Sequence, residues 1–179
     1  MPGVCKIQKE IYKHLLFGID VMGKRKEQAK MARRYFEDIA DGEPLHCQKL
    51  IITREDIIEF AKRFDPQPFH TDENAVKESI FGGLIASSLH TLSACTRVVV
   101  EAQGDVAILS GVGMDEAKMF NPVRPDDILS VEAWWDDLKR SQSKPDLGFA
   151  GIRCKVTNQS GEPVIEYGYR YIVACRNSA

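Results

Sequence analysis

Nowhere does the chain hold the roughly 18 or more uninterrupted apolar residues that a transmembrane helix needs, and the apolar stretch at Leu15, Leu16, Phe17 and Ile19 is cut by Asp20. Neither charge sign dominates. Lys plus Arg number 24 against 26 Asp plus Glu, a net −2, so no basic surface announces nucleic acid or an anionic membrane. Cysteine is sparse and scattered: Cys5, Cys47, Cys95, Cys154 and Cys175 are odd in number and never in CxxC spacing, which excludes a disulfide framework or zinc site of the usual pattern and predicts reduced cytosolic thiols. His14, His46, His70 and His90 include no pair one helical turn apart, so no bound metal is expected. Low-complexity segments and internal repeats are also lacking. What remains, 44% hydrophobic and 28% charged, is an ordinary globular composition, and by elimination the partner is a small molecule or another protein.

The 179 residues suit one domain with an appendage. Residues 1–30 carry Ile7, Ile11 and Leu15 at helical spacing but no secretory apolar core, no small-residue cleavage site and no Ser, so neither a signal nor a transit peptide is read there. They are expected to form an extension outside a functional domain at 31–179, in a cytoplasmic protein. Past the turn-forming Gly42 and Pro44, residues 46–53 have strand-like apolar density. Thr53 is placed to cap a helix, with Asp56 in the acidic position of a capping box and Ile57, Ile58, Phe60 and Ala61 following at helical spacing. Pro66 and Pro68 must end that helix and predict a stiff non-helical strut, after which 71–74 reads as another helix start.

Gly82 and Gly83 lead into 84–101, which holds neither Gly nor Pro and is the longest helix candidate. Apolar and small residues cover nearly all its circumference, as on a buried helix. From residue 107 the period changes to two, in runs 107–120, 127–138, 149–158 and 164–175. Leu129, Val131, Ala133 and Trp135 share one face of the second run, so Trp134 and Trp135 cannot both be internal. A strand, a buried helix and then consecutive strands make an α+β plan with the sheet against one face of the helix.

Asp65 and His70 flank the two prolines, where a rigid strut brings a carboxylate and an imidazole to one small site. Holding donors and acceptors within reach of one water is what a general acid–base pair requires. The stretches Phe64-Asp65-Pro66-Gln67-Pro68-Phe69-His70, Phe81-Gly82-Gly83-Leu84-Ile85-Ala86-Ser87 and Asn121-Pro122-Val123-Arg124-Pro125-Asp126-Asp127 resemble the MaoC-like, R-specific enoyl-CoA hydratase family. Asp65, Pro68 and His70 match its Asp-x-Asn-Pro-x-His motif, and Gln67 stands where the family has Asn. The resemblance implies a hot-dog fold, an antiparallel sheet wrapped round a long central helix, and a homodimer whose partner covers the acyl tunnel. It implies reversible hydration of an enoyl thioester, on CoA or acyl carrier protein, to the 3-hydroxyacyl form with no cofactor. Asp65 and His70 are then the catalytic pair, the N–H of Gly82 or Gly83 the oxyanion donor at the helix N-terminus, and Gln67 and Arg124 substrate contacts. Two other readings stay open: a hot-dog thioesterase and a non-catalytic acyl-binding module.

Overall fold

The computed structural model describes residues 32–74, 76 and 79–176. The extension expected at 1–30, its helical spacing and Cys5 lie outside the described residues. Strands β1 (Pro44–Leu45) and β2 (Leu50–Ile52) precede helix α1 (Arg54–Phe64), short helix α2 (Pro68–Thr71) and the long helix α3 (Ser88–Gln103). Then follow β3 (Ile108–Met114), β4 (Lys118–Met119), β5 (Asp127–Arg140), β6 (Leu147–Thr157) and β7 (Pro163–Ala174). The sheet runs β1-β5-β6-β7-β3, with β2 also pairing β5 and β4 also pairing β7. Every ladder between these strands is antiparallel.

The expected alternation of β5 holds. Leu129, Val131, Ala133 and Trp135 point inward, with Leu129 and Trp135 wholly buried, while Trp134 lies on the opposite face under the Lys155 ammonium, 5.9 Å from its ring centre. Against this face packs the stripe Thr91, Cys95, Val98 and Val99 of α3, spaced so that a helix presents them together. Where β6 begins, only glycine fits: a Cβ on Gly148 would lie 2.2 Å from the ring of Phe36. Among the described residues no helix is long and apolar enough to cross a membrane.

Four sequence expectations need correction. Of the run at 46–53 only β2 is strand; β1 lies just before the run, and both pair with β5. The 65–70 strut contains a turn of helix, because Pro68 occupies its first position, where a missing N–H costs nothing. At 71–74 there is a turn rather than a helix start, closed by Asn74 N–H on the Asp72 carboxylate at 2.8 Å. The long helix begins at Ser88, not Leu84. Its approach is extended, and the amides there are satisfied by remote segments: Ile85 N–H donates to the Phe69 carbonyl (3.2 Å) and Ala86 N–H to the Val123 carbonyl (2.8 Å).

Candidate active site

The Thr53 hydroxyl accepts from Asp56 N–H (3.1 Å), and the Asp56 carboxylate accepts from Thr53 N–H (3.3 Å), so the capping box starts α1 as the sequence predicts. The helix ends when Asp65 N–H makes a last bond to the Ala61 carbonyl (2.9 Å) and Asp65 leaves helical geometry, as Pro66 requires of the residue before it. Gln67 N–H then turns back to the Asp65 carbonyl (2.8 Å), and His70 N–H bonds the Gln67 carbonyl (2.9 Å). This tight path brings His70 Nε2 to 3.4 Å from Asp65 Oδ2.

The two side chains are held from behind. His70 is buried, and its Nδ1 lies 2.8 Å from the Ile85 carbonyl oxygen. A carbonyl only accepts, so Nδ1 carries a proton, and the ring in its neutral form presents its lone pair at Nε2 toward Asp65. Asp65 Oδ2 accepts from the Ser87 hydroxyl at 2.6 Å, and Oδ1 accepts from the Gln67 amide at 2.8 Å. The Ser87 bond first and the Gln67 bond second hold the Asp65 carboxyl below its usual range, burial opposing them and the nearby imidazole adding a smaller pull. Asp65 is thus a carboxylate at neutral pH.

Ser87, wholly buried, is also the N-cap of α3, accepting Leu89 N–H at 3.2 Å. The positive end of the helix is thereby aimed at the carboxylate. Asp65 and His70 open into a cavity of about 340 Å³ whose walls include Ile85, Val123, Ile165 and Thr91, with Ser88 at the helix start.

The MaoC like domain family matches residues 36–152, more than half the chain. The protein belongs to the MaoC-like family. YdeM of Bacillus subtilis (strain 168) is 30% identical over 132 residues, 73% of this chain and 92% of its own. The crystal structure of a MaoC-like dehydratase from Rhodospirillum rubrum is 36% identical, with a TM-score of 0.71 over 80% of this chain and 98% of that one. An R-hydratase from Pseudomonas aeruginosa, 21% identical with a TM-score of 0.64 over 81% and 88% of the two chains, has the same hot-dog fold.

In this MaoC-like domain Asp65, His70 and Gln67 come together as the sequence expects, but the glycines do not sit at a helix N-terminus. They lie in a turn five residues earlier. Gly82 has φ +63, and its N–H is spent on the Ser79 carbonyl at 3.0 Å. Phe81, rather than either glycine, lines the cavity. Arg124 reaches the same turn, Nη2 donating to the Phe81 carbonyl at 2.7 Å, and a Cβ on Gly83 would stand 3.2 Å from its Nη1. Arg124 therefore braces the glycine turn. Sequence reasoning passed over the roles of Ser87 and Ser88. The signal was present: a serine pair immediately before an apolar run is an N-cap signature, obscured by the apolar residues 84–86 in front of it.

Proposed function

We propose that this domain adds water to, or removes it from, the double bond of an acyl thioester, interconverting an enoyl-CoA and a 3-hydroxyacyl-CoA or their acyl carrier protein equivalents. The observation that carries the reading is a pair of facing acceptors. Asp65 Oδ2 and His70 Nε2 stand 3.4 Å apart; Oδ2 keeps a lone pair beyond the one that takes the Ser87 hydroxyl, the neutral imidazole offers another at Nε2, and a water molecule has one O–H for each. Membership of the MaoC-like family and likeness to a MaoC-like dehydratase support the same reaction class.

In hydration the water oxygen bonds to the β-carbon and one of its hydrogens passes to His70 Nε2. Asp65, held as a carboxylate, is a poor proton acceptor but steadies the imidazolium. The π electrons move to the thioester oxygen, giving an enolate; as it collapses, the imidazolium returns the proton to the α-carbon. Both new bonds form on one face, so addition is syn. The developing oxyanion needs a fixed donor. With the helix start at Ser88, a residue that lines the cavity, that donor is assigned to the Ser88 N–H, which has no helical acceptor, in place of the two glycines. Arg124, exposed beside the cavity's glycine turn, has guanidinium donors left for the CoA phosphates.

The catalytic domain is assigned to residues 31–179, with 1–30 as an extension outside it. A homodimer is proposed through β3, an edge strand on which Leu109, Val112 and Met114 are each more than half exposed; such an edge invites pairing with a second copy.

The decisive experiment is hydration of crotonyl-CoA followed by loss of the conjugated absorbance. Asp65→Asn and His70→Ala are each expected to lower turnover by about 100-fold or more without changing the melting profile greatly. Near-normal turnover in either folded variant overturns the assignment. Release of free CoA with the double bond intact identifies a thioesterase instead, and binding of the thioester without turnover identifies a non-catalytic acyl-binding module.

A further inference from the structure

Each oxygen of the Asp65 carboxylate has its own protein donor, and the two donors come from opposite sides of the site. The Ser87 hydroxyl reaches Oδ2 at 2.6 Å from the start of α3, and the Gln67 amide reaches Oδ1 at 2.8 Å from the proline segment. Neither donor is idle elsewhere. Ser87 simultaneously caps α3 through Leu89 N–H, which fixes its hydroxyl direction: with the oxygen accepting from the helix, its own hydrogen is left for Asp65. Gln67 simultaneously offers its backbone carbonyl to His70 N–H at 2.9 Å and to the Thr71 hydroxyl at 3.1 Å. One residue thus ties to Asp65 by its side chain and to His70 by its backbone.

We infer that Ser87 and Gln67 are positioning residues, a two-sided clamp that fixes the plane of the Asp65 carboxylate so that an Oδ2 lone pair stays directed at the space beside His70 Nε2. This rests on the proposed hydratase reading for its catalytic consequence, though not for the clamp itself. It also reassigns Gln67, which the family resemblance would place against substrate. The longer side chain where the motif has Asn suits this task, because the amide must reach back across Pro66 to the residue two before it.

An ionised carboxylate with two donors loses both orientation and charge preference when either donor goes. The variants to make are Gln67→Met, which keeps length without a donor at an exposed position, Ser87→Ala, and Ser87→Thr, which keeps the hydroxyl. In Gln67→Met and Ser87→Ala the kcat for crotonyl-CoA is expected to fall about 10-fold or more with KM little changed. The acidic limb of the kcat/KM profile moves to higher pH in both, since the Asp65 carboxyl rises toward its ordinary value, and Ser87→Thr recovers part of each loss. The Asp65 side-chain ¹³C carboxyl resonance, assigned by its loss in Asp65→Asn, is titrated in parallel; an upward displacement in both donor-less variants is the result expected of a clamp. An unchanged carboxyl titration in folded Gln67→Met, or a raised KM with an unmoved acidic limb, overturns it. Should the wild type fail to hydrate any enoyl thioester, the functional proposal falls while the carboxyl titration still decides the clamp.

Discussion

Asp65 beside the cavity and the thiols Cys95 and Cys154 beneath α3 are ionisable groups of one domain that meet opposite fates. Burial pushes both thiols up to about 12, so they stay neutral and behave as small apolar core residues. Asp65 is also desolvated, its side chain only 20% exposed, yet it is held below its usual range because two donors reach it, Ser87 ahead of Gln67. Burial alone therefore does not make a reactive group here. Donors aimed at the charged form do, and the sequence places them by capping α3 at Ser87 and by setting Gln67 between two prolines.

The harshest way to break this contrast is to put a carboxylate where no donors wait for it. Cys95→Asp, in the wholly buried stripe of α3, is expected to cost several kcal/mol, on the order of the whole stability of such a domain, and to leave an unfolded chain by circular dichroism. A folded variant with an ionised Asp at that position would show that donors are dispensable and that the clamp on Asp65 is incidental. A gentler probe uses the thiols as they stand. Cys47 is half-buried and its thiol is raised by burial too, but its exposure should let iodoacetamide reach it at pH 8. Cys95 and Cys154 should react at least about tenfold more slowly in the folded protein, as read by peptide-resolved mass spectrometry. Equal rates at Cys47 and Cys95 would mean that the core opens readily, and the comparison with Asp65 would fail.

Much of the fold is legible in the sequence alone, and what is not shares a cause. Thr53 with Asp56, or Leu129 through Trp135 on alternate positions, are read correctly because the information is local: a cap needs residues three apart, a strand face needs period two. The start of α3 is not legible in the spacing because Leu84, Ile85 and Ala86 are acceptable helix residues; the Phe69 and Val123 carbonyls that take the amides of 85 and 86 are partners remote in sequence. The expectation that Gly82 and Gly83 stand at the helix N-terminus fails with it, since the positive helix end lies at Ser88. That Asp65 and His70 come together is legible from their proline setting and the family motif. That Gln67 bonds Asp65 and Arg124 braces Phe81 depends on side-chain direction, which spacing does not encode.

The smallest expected effect tests the same rule, partners against none, on backbone rather than charge. Asp126 and Asp137 are the two non-glycine residues with positive φ among those described, at 66° and 52°. Asp137, in the bulge of β5, is held by Lys139 Nζ at 2.6 Å and Arg170 Nη1 at 2.5 Å, bonds that bring its carboxyl down to about 2. Asp126, exposed at the turn into β5, contributes its N–H to the Ile52 carbonyl at 2.9 Å, a bond that glycine keeps. Glycine enters the left-handed region without the steric cost that Asp bears, against which stands its larger loss of chain entropy. Asp126→Gly is therefore expected to gain about 0.5 kcal/mol, seen as a rise in Tm of roughly 1–2 °C. Asp137→Gly, which relieves the same strain but strips Lys139 and Arg170 of their partner, should melt no higher than wild type. If the two variants shift Tm alike, side-chain partners do not decide where this fold tolerates strain; if only Asp126→Gly rises, they do.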